Sequence, residues 1–114
     1  MRYSFMKFSY TSAWILQKLL ALIFLLLLIY LTFSLNHISL NNYIETSNWF
    51  SDKVNSFLFF VLLTSIILHS NLGLNSIIDD YVNKKESKKI IIVLKNSFLV
   101  ITYIISVTSL ILLV

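Results

Sequence analysis

The sequence predicts an all-α membrane protein with three transmembrane helices, its N-terminus inside and its C-terminus outside. Three observations predict it. The 114 residues are 58% hydrophobic and only 12% charged, against about half and a quarter in a typical soluble domain. The apolar residues gather into three blocks, at about 13–35, 55–78 and 90–114. Each block exceeds the roughly 20 residues that cross a ~30 Å hydrocarbon core at 1.5 Å per residue. None alternates with the period of a barrel strand, so helices are left to satisfy the backbone in lipid. One transmembrane anchor domain over residues 1–114 follows.

The first block is interrupted only by Gln17 and Lys18. No cleavage site resembling that of a signal peptide follows Leu35, so the block is expected to be retained. Tyr10 and Trp14 resemble an aromatic belt, and Lys18 at the block's inner end is expected to snorkel. The connection over 36–54 is polar and mixed, with Trp49-Phe50 suited to an interfacial anchor. After the second block, the connection over 79–89 is short and heavily charged. The third block carries Lys95, expected to snorkel as well, and scattered hydroxyls at Tyr103, Ser106, Thr108 and Ser109.

Basic residues set the orientation. Arg2, Lys7 and Lys18 lie near the N-terminus, and Lys84, Lys85, Lys88 and Lys89 fill the second connection. The first connection offers only Lys53. The positive-inside rule then puts the N-terminus and the second connection on the matrix or cytoplasmic side.

Composition also excludes chemistry. Without cysteine, the chain builds no disulfide, zinc-thiolate or iron-sulfur site. No nucleophile–base pair, phosphate loop or carboxylate dyad is visible, and nothing suggests nucleic acid. Proline is absent and Gly73 is the only glycine, which makes close approach at that position informative. Leu, Ile, Phe, Asn, Ser and Lys outnumber Ala, Gly and Pro, a bias that suggests AT-rich coding in an organelle or a bacterium.

His69 is the one histidine inside an apolar block, and an ionisable side chain at membrane depth is a functional candidate by default. Positions 69, 73, 76 and 80 share one helical face, and Ser65 lies one turn before the histidine. Ser65 and Gly73 leave a flat surface around an imidazole, which a planar group such as haem can approach closely. Neutral imidazole is a common metal ligand. The competing reading is an interhelical hydrogen bond from His69, with Gly73 serving helix packing. His37 lies beyond the outer end of the first block, so a haem held by two histidines needs the second from another chain. Asp80-Tyr81 closes the segment about 16 Å along the helix from His69. There a phenol meets the head group of a quinone diffusing in the bilayer, with Asp80 tuning proton supply; the alternative is a helix end meeting water, with Asp79 and Asp80 pairing nearby lysines.

The run His69-(three residues)-Gly73-(six residues)-Asp80-Tyr81 resembles the second transmembrane helix of the smaller of the two membrane anchors of succinate dehydrogenase (respiratory complex II). The segment Trp14-Ile15-Leu16-Gln17-Lys18, followed by Ala21, resembles that family's Trp-x-x-Gln-Arg-x-x-Ala. The resemblance implies a non-catalytic anchor that docks a flavoprotein and an iron-sulfur protein and helps form a ubiquinone-reduction site. It implies that His69 is an axial ligand of haem b, with Ser65 and Gly73 packing against the macrocycle. The other ligand would come from the larger membrane anchor. Tyr81 would bond ubiquinone, Asp80 would lie beside that pocket, and Lys18 would face a haem propionate. Lys18 replaces the family's arginine and loses its planar fork. The larger anchor of such complexes carries a similar His-x-x-x-Gly, usually followed by Arg-His; here those positions are Asn75 and Ser76, which favours the smaller one. The implied location is the inner membrane of a mitochondrion or a bacterium. The alternatives are the anchor of a quinol:fumarate reductase and a structural accessory protein of another respiratory complex. A small transporter component is disfavoured, since no internal repeat or helix-breaking Gly or Pro is present.

Overall fold

The computed structural model describes residues 10–114, and among them every regular element is helical. Arg2, Lys7 and the side chain of Tyr10 lie outside the described residues. Four helices follow in order: α1 (Tyr10–Leu35), α2 (Tyr43–Ser51), α3 (Lys53–Tyr81) and α4 (Lys85–Leu113). Of these, α1, α3 and α4 are long and apolar enough to cross a membrane.

The spanning helices outrun their apolar blocks, by five residues at the start of α4 and three at the end of α3. Hydropathy marks only the part that must avoid water, whereas backbone hydrogen bonding carries the helix on until a cap or turn ends it. Asp52 caps α3, its side chain accepting from the Val54 N–H at 2.9 Å. At the other end of α3, the Val82 N–H bonds the Ile78 carbonyl, and a three-residue turn leads to α4. So short a connection makes α3 and α4 antiparallel neighbours.

Residues 36–54 are not an open loop. They contain α2, nine residues capped by Asn42, whose side chain accepts from the N–H groups of Ile44 and Glu45 at 3.0 and 3.3 Å. Glu45 in turn accepts from the Ser39 N–H at 2.8 Å, folding the connection back on itself. This helix corrects the expectation for Trp49-Phe50. Both rings turn inward, 8% and 6% exposed, and form a core with Leu31, Leu62 and Leu110. The Trp49 indole donates to Ser34 Oγ at 2.9 Å, which satisfies its one polar atom. An aromatic pair on one side of a short helix can plug the end of a bundle, and here that contact replaces lipid.

α3 is the middle helix. It packs against α1, α2 and α4, whereas the backbones of α1 and α4 do not approach each other. Polar side chains join α3 to α4 at three levels. Lys88 Nζ lies 3.0 Å from Asp79 Oδ1, without the alignment of a hydrogen bond. Lys95 donates to Asn71 and Asn75, and the hydroxyls of Thr64 and Tyr103 are 2.9 Å apart. Lys95 is therefore held between the helices by two carboxamide oxygens, which corrects the expectation that it snorkels.

Candidate functional site

His69 sits past the middle of α3, on the side that faces α1, and is half-buried. Its Nδ1 is 3.0 Å from the main-chain oxygen of Gln17 in α1. A carbonyl only accepts, so Nδ1 must carry the proton and donate. In the neutral ring the proton-free nitrogen is then Nε2, with its lone pair available. The Phe24 ring packs against the imidazole at 5.3 Å between centroids, tilted by 60°. The ring is thus oriented by one hydrogen bond and one aromatic wall, both from α1.

Gly73 and Ser65 flank His69 by one turn on either side. Ser65 is 5% exposed. A Cβ built on Gly73 would lie 3.2 Å from the Gln17 amide nitrogen. The close approach at the chain's single glycine is therefore made by the Gln17 side chain. Gln17 contributes twice, its carbonyl fixing His69 and its amide filling the space at Gly73. The sequence marks Gln17 only as part of a motif; that it faces α3 becomes visible once the helices are packed.

This contact predicts a graded response. In Gly73→Ala the new methyl meets the far end of a flexible side chain, so the cost should stay near or below about 1 kcal/mol. Gly73→Leu has no such escape and should push α1 away, costing about 1–3 kcal/mol. Thermal unfolding in detergent would check both, and equal midpoints for the two variants would contradict the contact.

Lys18 follows Gln17 directly and so stands at the level of His69. Its ammonium lies 5.6 Å over the Trp14 ring centroid, a cation–π distance. Lys18 is exposed and makes no ion pair among the described residues. Asp80 and Tyr81 end α3 at the side of the three-residue turn. Tyr81 is 80% exposed, and neither side chain has a hydrogen bond or ion pair among the described residues. Of the two aspartates, Asp79 is the one paired with a lysine. His37 lies past the other end of α1 and is exposed. The structure therefore brings His69, Gly73 and Ser65 together with Gln17, puts Lys18 at their level, and leaves Asp80 and Tyr81 apart at the helix end. Among the described residues no three His, Cys, Asp or Glu side chains gather as a chelating group.

Residues 3–105 match the family described as succinate dehydrogenase/fumarate reductase transmembrane subunit. The chain belongs to that family. The match takes in α1, α2 and α3 and runs into α4 as far as residue 105, so the family's pattern covers the His69 region and the turn beyond Tyr81. No curated protein and no solved structure matches the chain. As a succinate dehydrogenase/fumarate reductase transmembrane subunit, it is a multi-pass membrane protein, in keeping with three apolar helices.

Proposed function

We propose that the chain is the smaller, non-catalytic membrane anchor of a succinate:quinone oxidoreductase, contributing one axial ligand to haem b and part of the ubiquinone site. The observation that carries this reading is the His69 Nδ1 bond to Gln17. Metal-binding histidines characteristically donate their other ring N–H to a carbonyl or carboxylate, which fixes the tautomer and aims the ligand nitrogen. A haem iron needs only one or two side chains, so a single oriented imidazole fits it where a bare metal ion would require a cluster.

His69 Nε2 is the ligand atom in this reading. His37 is at the wrong end, so the second ligand belongs to the larger membrane anchor. Ser65 and Gly73 keep the turns around His69 thin where α1 and α3 meet. Lys18, at the same level, supplies a positive partner for a propionate. When bound, haem b would supply a one-electron store within the membrane anchor. Tyr81 donates its O–H to a quinone carbonyl, and Asp80 holds or passes a proton at its carboxylate. The N-terminus and the turn at 82–84 face the matrix or cytoplasm, where a flavoprotein and an iron-sulfur protein dock. The membrane is the inner membrane of a mitochondrion or a bacterium.

Purifying the native assembly tests the reading as a whole. Flavin, iron and a b-type haem are expected to travel with this chain, and succinate should reduce the haem. An assembly that carries none of them would leave a structural accessory role.

A further inference from the structure

Among the described residues Lys95 is the cation farthest from a helix start, ten residues into α4, or about 15 Å at 1.5 Å per residue. Its ammonium donates to Asn71 Oδ1 and Asn75 Oδ1, each at 2.6 Å. The two asparagines are one turn apart on α3 and half-buried. An ammonium has no acceptor, so both carboxamides must turn their oxygens toward it. That leaves their NH2 groups, and a third ammonium hydrogen, pointing elsewhere. Neither carboxamide NH2 has a partner among the described residues, and neither is sealed from the surface.

The cation also lacks a counter-charge on its own chain. The sequence has five acidic residues. Glu45 and Asp52 lie at the α2 end, Asp79 is occupied by Lys88, and Asp80 and Glu86 are outside hydrogen-bonding reach near the 82–84 turn. A charge at this depth is expensive unless something neutralises it. Next to Lys95 on α4, Ile91, Leu94 and Phe98 are exposed and apolar. The site therefore offers donors and one positive charge beside a greasy wall.

We propose that Lys95, Asn71 and Asn75 bind the phosphate of an anionic phospholipid in the groove between α3 and α4. Basic pockets between transmembrane helices on the positively charged side attract such headgroups. Lys84, the cap residue of α4, adds positive charge at the turn, whereas Lys88 is neutralised by Asp79. The site uses none of the residues proposed for haem and quinone.

The test uses the intact complex that carries this chain, stripped of lipid in a neutral detergent. Phosphatidylglycerol should raise its unfolding midpoint saturably, whereas phosphatidylcholine and inorganic phosphate should not. Lys95→Met should weaken half-saturation by phosphatidylglycerol about fivefold, and Lys95→Arg should retain it. An effect of phosphatidylcholine equal to that of phosphatidylglycerol would overturn the proposal, as would saturation by inorganic phosphate alone. Indifference of the wild-type complex to phosphatidylglycerol would also overturn it, pointing to a carboxylate of a partner protein. If Lys95→Met fails to assemble, headgroup analysis of the lipids extracted from gently purified wild-type complex decides: at least one anionic phospholipid per chain is expected, and none refutes the site.

Discussion

His69→Ala is expected to abolish or shift the b-type haem spectrum of the assembled complex. The magnitude separates two roles for the side chain. An interhelical hydrogen bond in a membrane protein contributes on average about 0.6 kcal/mol, too little to empty a cofactor site by itself. Loss of an axial ligand changes the iron directly. His69→Gln sharpens the comparison, because its amide can still donate to the Gln17 carbonyl while offering no imidazole to iron. Both variants should lose or alter the haem bands, and the glutamine variant should keep more of the α1–α3 contact. A normal reduced spectrum in His69→Gln would reduce His69 to a helix-packing residue.

Tyr81→Phe should lower kcat/KM for quinone reduction by about tenfold, the size expected for one lost hydrogen bond in the transition state. Succinate oxidation with an artificial acceptor should be unchanged. The clean separation follows from exposure. The ring is 80% exposed and its hydroxyl has no partner among the described residues, so removing one oxygen takes nothing from the fold of this chain. Equal loss of both activities would mean failed assembly. Loss of neither would place the quinone elsewhere.

The three spanning helices were legible because lipid imposes a long, continuous apolar run, and such a run survives any detail of packing. α2 was less so. At nine residues, with Glu45, Thr46, Ser47 and Asn48 in its middle, it has no apolar run to notice. Its start was nevertheless written in Asn42 and Glu45, a cap residue followed three positions later by glutamate. The placement of His69, Gly73 and Ser65 on one face was readable from spacing alone. What fills that face was not, since nothing in one sequence says which helix lies opposite; Gln17 emerges only when α1 packs. Lys95 is an intermediate case. Once the turn at 82–84 makes α3 and α4 antiparallel, the pair Asp79–Lys88 fixes the register, and counting seven residues along each helix puts Lys95 opposite residue 72. Asn71 and Asn75 bracket that position.

The middle placement of α3 has a consequence for how the chain can work. Because α1 and α4 each adjoin α3 without their backbones approaching one another, the three helices form an open wall and enclose no chamber. On the function proposed above, a group held at His69 or Tyr81 would be walled in on its far side by another polypeptide, and loading the cofactor and joining the partners would then be a single event.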